Sequence, residues 1–259
     1  MGLAHSPRIV TDGLVLALDA GNTKSYPGSG TTWTDLSGNG NTGTLVNGVG
    51  YTADNGGALT FDGVNDYVEV STRNTNLEFQ PTQAFSVFVW IYNLTDGQGA
   101  IVSNMVGSSS YPGWDLWRNS GGTIAGHFIS SWSGNATKVK VNFDHSSNAN
   151  KWVNIGYTYN GSSPANATDA LNSMNFYVNG QLTTSGKAND ISTDGFDTTT
   201  ETISYNASQR FRVASRWASG SPGSSPSPLT TSQVSIYNKA LTAAEVEQNF
   251  NATRSRYGI

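Results

Sequence analysis

The sequence predicts an all-β fold, two antiparallel sheets packed as a sandwich, with one short helix near the C-terminal end. Three observations predict it. Charged residues make up only 12% of the chain, against about 25% in an average globular protein; Gly, Ser, Thr and Asn fill their place, as many short strands and many turns require. The stretch Phe85–Tyr92 is apolar on both of its alternating faces, the pattern of a strand in the middle of a sandwich. Asn179-Gly180, set between the strand-like runs 174–178 and 181–184, is the strongest short hairpin signal, because both residues tolerate positive φ. Seven Trp, eleven Tyr and ten Phe supply too much apolar surface for a disordered chain.

The 259 residues suit a single β domain. A net charge of −4 leaves no basic stripe, and Arg210, Arg212, Arg216, Arg254 and Arg256 are too sparse to make one, which excludes nucleic acid as a partner. There is no Cys, hence no disulfide framework, thiolate nucleophile or Cys-type zinc site. No run of 18 apolar residues could span a membrane, and the first residues lack the apolar core of a signal peptide. Met1 to Ser6 fits the short N-myristoylation template, whose single acyl chain would anchor only marginally.

Taken in order, residues 1–12 read as an extended arm and 13–259 as the domain. Gly13–Asp19 is a continuous apolar run, a strand covered on both faces. Loops at 27–30 and 37–41 flank a short element at Trp33–Leu36. Phe61–Val70 is a strand, a tight Asp/Gly/Asn turn and a second strand whose Tyr67 and Glu69 oppose Val68 and Val70. Residues 160–170, 190–202 and 218–228 read as long loops, of a length that usually serves function or a partner. A strand at Ser235–Tyr237 runs into the single expected helix. There Thr242 and Glu245 form a capping box, Leu241 and Val246 a hydrophobic staple, and Val246 and Phe250 share a face.

Phe61–Val70, Trp152–Ile155, Phe176–Gly180 and Ser235–Thr242 together resemble the laminin-G and concanavalin A-like lectin superfamily, over about residues 13–250. The resemblance implies a jelly-roll sandwich. The opening segment, Ser6–Leu16 with Asp19–Asn22 and Ser25–Gly28, looks like that of laminin-G-like structural proteins of large tailed bacteriophages. That likeness implies a virion-surface protein decorating the capsid lattice as a homo-oligomer or many-copy array, with other virion proteins as partners. A carbohydrate-binding adhesin of the tail-fibre type, contacting host polysaccharide, is the alternative.

Glycosidases of this superfamily carry Glu-x-Asp-x-x-Glu on one strand. None of the five Glu, at 69, 78, 201, 245 and 247, begins that pattern, so no catalytic residue is expected. His5, His127 and His145 lack a recognisable nucleophile beside them, and His127 reads as structural. Sugar stacking calls for aromatics beside neutral hydrogen bonders. Tyr111, Trp117, Trp132 and Trp217 are the candidates, with Trp117, on the strand face shared with Asp115, the expected exposed platform. Many members of the superfamily hold calcium in turns, which makes Asp62, Asn65 and Asp66 candidate ligands of a structural calcium. The other reading is that Asp62 and Asn65 shape the turn through Asx hydrogen bonds. The acidic residues often found before the final strand are replaced here by Thr230, Thr231, Ser232 and Gln233. Asp190, Asp194 and Asp197 make a further acidic loop without EF-hand spacing.

Overall fold

A computed structural model describes residues 7–259 except 71–72, 96, 108–109, 133–135, 145, 191–200 and 219–223. The acylation template, His5, His145, Asp194 and Asp197 lie outside the described residues.

Two antiparallel sheets enclose one core. The eight-stranded sheet contains β1 (Leu14–Asp19), β4 (Gly50–Thr52), β5 (Ala58–Asp62), β7 (Phe85–Tyr92), β12 (Trp152–Tyr159), β13 (Met174–Val178), β14 (Gln181–Thr183) and β17 (Pro228–Tyr237). Their order is β14-β13-β12-β7-β17-β5-β4, with β1 also paired to β17. The nine-stranded sheet contains β2 (Thr32–Trp33), β3 (Gly43–Val46), β6 (Tyr67–Val70), β8 (Gly99–Met105), β9 (Gly113–Asn119), β10 (Thr123–Ile129), β11 (Ala136–Asn142), β15 (Ala188–Asn189) and β16 (Arg212–Val213). It runs β15-β11-β10-β9-β8-β16-β6-β3-β2.

The doubly apolar strand sits where its pattern demands. β7 lies between β12 and β17, sending Phe85, Val87, Val89 and Ile91 into the main core. Its other face carries Phe88 and Trp90, which are covered by α2 (Ala243–Thr253) and the 3₁₀ turn Arg254–Tyr257. Trp90 stacks on Tyr257 at 4.0 Å and on Phe250 at 5.7 Å. Burial of each such side chain contributes roughly 1.5–3 kcal/mol, so one strand serves two apolar layers.

Asn179 and Gly180 have φ of 50° and 76°, the left-handed pair of a type I′ turn, and join β13 to β14. The capping box of Thr242 and Glu245 is formed, and Leu241 and Val246 are buried in one cluster. β5 and β6, adjacent in sequence, belong to different sheets, so the Asp62–Asp66 turn is a corner between layers and not a paired hairpin. The segment read as a 160–170 loop runs into a second helix, α1 (Ala167–Ser173), whose N-terminus Asn166 caps by accepting from the Asp169 N–H at 3.0 Å. The end of the arm touches the domain. Val10 is buried, its N–H donates to Asn249 Oδ1 at 2.7 Å, and its carbonyl accepts from the Tyr237 hydroxyl at 3.1 Å.

Candidate functional site

Alternation along three neighbouring strands builds a polar cluster on the face of the nine-stranded sheet away from the core. β9 sends Trp114 and Leu116 inward, which leaves Asp115, Trp117 and Asn119 on the other face. β10 buries Ile124 and Phe128 in the core and presents Ala125 and His127 outward, while β11 presents Lys138 and Lys140. Register places His127 opposite both Asp115 and Lys138. Two further groups come from outside these strands. Arg216 follows β16 and is held by a pair of main-chain bonds with Ser224, and Asp190 follows β15, its N–H donating to the Lys138 carbonyl at 2.7 Å.

His127 is bracketed by carboxylates. Its Nδ1 lies 2.8 Å from Asp115 Oδ1 and its Nε2 3.1 Å from Asp190 Oδ2. Arg216 binds Asp115 Oδ2 through Nη2 at 2.6 Å and Nε at 2.8 Å. Asp190 also accepts from Asn119 Nδ2 at 3.0 Å and lies 3.4 Å from Lys140 Nζ. Burial opposes charge at each of these groups. At Asp115 the Arg216 and His127 cations outweigh it, holding the carboxyl below the usual carboxylate range. Burial likewise pushes His127 down, but Asp115 and Asp190 more than offset this and leave it above its ordinary value. Asp190, despite its burial, is drawn down to about 2 by His127, Asn119 and Lys140.

Aromatic rings wall the cluster. The Arg216 guanidinium lies 4.0 Å over Trp117 and 5.3 Å from the Tyr111 ring centre. Tyr111 and Trp132 pack at 5.0 Å, and Lys138 sits 4.4 Å over Trp132 while donating to its carbonyl at 3.0 Å. Trp217, beside Arg216, bridges Val106. Three of the four aromatics singled out from the sequence, Tyr111, Trp117 and Trp132, therefore surround one cluster, and the four differ in access. Trp117, the expected exposed platform, is only 9% exposed because Arg216 covers its ring, and Trp217 is 8% exposed. Tyr111 and Trp132 are half-buried at the rim.

Asp115, His127, Asp190 and Arg216 make a group that sequence reasoning did not assemble. The one local signal was Asp115 two residues before Trp117, which puts them on one face; the partners arrive from other strands and loops. Chemically the cluster is closed. Asp115 is 0% and Asp190 3% exposed, and the two flank an imidazole instead of an open bond, so they are not placed as acid and nucleophile about a glycosidic linkage.

The candidate calcium ligands are engaged by the turn itself. Asp62 Oδ1 accepts from the Val64 N–H at 2.7 Å, Asp66 Oδ2 from the Asp62 N–H at 3.3 Å, and the Asn65 carbonyl from Asn47 Nδ2 at 2.9 Å. Burial, together with the nearby Asp62 carboxylate, raises the Asp66 carboxyl above its usual value. Among the described residues no group of three or more His, Asp or Glu could hold a metal ion. Asp62 thus makes the side-chain-to-backbone bond of the Asx-turn reading, while Asn65 is engaged through its main-chain carbonyl.

A family model described as the concanavalin A-like lectin/glucanases superfamily matches residues 61–247. The chain belongs to this family. No curated protein matches the sequence. Among solved structures, the binding domain of botulinum neurotoxin serotype C1 is similar at a TM-score of 0.61 and 16% identity, over 94% of this chain and 52% of that one. The binding domain of botulinum neurotoxin DC in complex with SialylT matches at 0.60 and 16%, again over 94% and 52%. The binding domain of Paraclostridial Mosquitocidal Protein 1 matches at 0.58 and 18%, over 93% and 52%. The chain thus spans about half the length of the solved structures it matches, and at these identities the likeness is one of fold.

Proposed function

We propose that this superfamily member is a non-enzymatic binding module displayed on a phage virion, decorating the capsid in many copies. The observation that carries the non-enzymatic reading is the sealing of Asp115 and Asp190, each buried and locked to cations. A general acid or nucleophile must reach the scissile bond, and neither can. The virion reading is supported by the likeness of residues 6–28 to the opening of tailed-phage structural proteins, and by a sparsely charged, Cys-free chain suited to association by shape and neutral hydrogen bonds. Many-copy display multiplies weak contacts.

A second reading, a carbohydrate-binding adhesin that contacts host polysaccharide, is favoured by the half-buried Tyr111 and Trp132 at the cluster rim and by one structural neighbour solved in complex with SialylT. Quantitative mass spectrometry of purified particles separates the two. Decoration predicts a copy number comparable with that of the major capsid protein. A few copies per particle favour the adhesin, and a chain found only free in lysate removes both.

A further inference from the structure

The opposite sheet carries a second surface, built from different chemistry. Register lines up one residue from each of five adjacent strands: Gly50 pairs with Thr60, Thr60 with Thr230, Thr230 with Tyr92, and Tyr92 with Trp152. At the ~4.8 Å spacing of neighbouring strands the row is about 19 Å long. Its Thr60, Thr230, Tyr92 and Trp152 line a cleft of about 540 Å³ that is also bounded by Thr52, Asp54 and Asn55, within the roughly 300–1,000 Å³ range of small-ligand sites.

The row is open because its cover stops one step short. Two residues before Tyr92, Trp90 is roofed by Tyr257 and Phe250. Tyr257 then packs on Trp152 at 4.8 Å, and Trp152 on Tyr92 at 5.5 Å, which makes a fixed aromatic wall at one end. Tyr92 remains half-buried and Trp152 is 5% exposed, and the indole N–H of Trp152, itself buried, has no acceptor among the described residues. At the other end, Asp54 accepts from the Thr52 hydroxyl at 2.8 Å through one carboxylate oxygen, Oδ2. Gly50 keeps this end low, because a Cβ there would lie within 2.3 Å of Thr60 Oγ1. Between the ends lie the half-buried Thr60 and Thr230, whose hydroxyls form no hydrogen bond among the described residues.

Each of these features selects the same ligand chemistry. A rigid aromatic face takes the apolar face of a sugar ring, and hydroxyl, amide and carboxylate groups pair with its hydroxyls. Among the described residues no cation lines the cleft and one carboxylate does, which disfavours phosphorylated, sulfated or sialylated ligands. The length of the row suits a chain better than a single ring. We propose that the cleft along Thr60, Thr230, Tyr92 and Trp152, with Asp54 and Asn55 at its end, binds a neutral oligosaccharide chain. The adhesin reading supplies only the ligand class, since this site lies on the other sheet from Tyr111 and Trp132.

Titration of the intact protein with laminarin, agarose and mannan oligosaccharides, followed by calorimetry, tests the proposal, with 3′-sialyllactose and a sulfated galactan as anionic comparators. Binding of at least one neutral series is expected, weakened about tenfold or more in Thr60→Val/Thr230→Val, where two hydroxyls are lost at constant shape. Asp54→Asn serves as a second variant that leaves the sheet untouched. The melting temperature of both variants shows whether the fold is kept. No binding of any neutral series, preference for the anionic probes, or unchanged affinity in both folded variants overturns the inference. If Trp132→Ala abolishes binding while both row variants bind normally, the adhesin reading stands and the row does not.

Discussion

Replacement of Asp115 by Ala is the sharpest perturbation of the buried cluster. Asp115 is fully buried, and the side chains it serves, Arg216 and His127, are 5% and 2% exposed. Without it, the buried Arg216 cation is left uncompensated, with Nη2 3.3 Å from His127 Nδ1. Removing one partner of such a buried pair costs about 3–5 kcal/mol, because the uncompensated charge and not the lost attraction dominates. In a domain of this size, 1 kcal/mol corresponds to about 2–4 °C in melting temperature, so Asp115→Ala should lower it by roughly 6–20 °C. Calorimetry near pH 6, with urea unfolding as a second measure, reads this directly. A double variant that also removes Arg216 should lose clearly less than the sum of the two single losses, since it removes both charges of the pair. A single-variant loss below about 1 kcal/mol, or strict additivity, would refute the view that these charges are mutually dependent.

Three further outcomes are expected. The folded protein holds His127 above its ordinary 6.5, so that contribution is complete below pH 6.5 and fades as pH rises through the folded value; Asp190, drawn from 3.8 to about 2, contributes above pH 3.8 and loses its effect as pH falls toward 2. Unfolding free energy measured against pH should therefore show the cluster's contribution greatest between 3.8 and 6.5, and His127→Gln should flatten the alkaline side; an unchanged alkaline limb counts against the charged imidazole. Gly180→Val should destabilise by more than ~1 kcal/mol, since φ is 76° there and a Cβ would lie 2.9 Å from Phe250 Cβ; an unaltered urea midpoint would contradict the turn. Chelator followed by added calcium should leave the melting curve in place, because main-chain N–H groups already occupy Asp62 and Asp66; a calcium-dependent rise would restore the metal reading.

What could be read from the sequence follows from the range of each interaction. The doubly apolar β7, the Asn179-Gly180 turn and the Thr242/Glu245 capping box are local patterns, complete within eight residues, and the structure forms all three. Helix α1 was missed although Asn166 and Asp169 carry a capping signal, because the surrounding Gly, Ser and Pro read as a loop. The corner between β5 and β6 was also hidden, since a tight turn between two strands looks the same whether they pair or part into two sheets. The aromatics were found as residues but not as a place. Tyr111, Trp117 and Trp132 meet only because β9, β10 and the segment after β16 converge, and the Arg216 that buries Trp117 lies 99 positions away in sequence. Asp115, His127 and Asp190 remained isolated residues for the same reason, as did the row on the eight-stranded sheet, which draws one residue from each of five strands.

The central claim is that this sandwich is a binding module carried on a virion surface. A density map of intact particles, at a resolution that distinguishes a two-sheet sandwich from its neighbours, tests it most directly. The account predicts repeated copies of the domain on the head lattice, with no particle-free pool dominating the lysate. Particles whose heads and tails both lack density for the sandwich, while the protein is recovered free in solution, would contradict it.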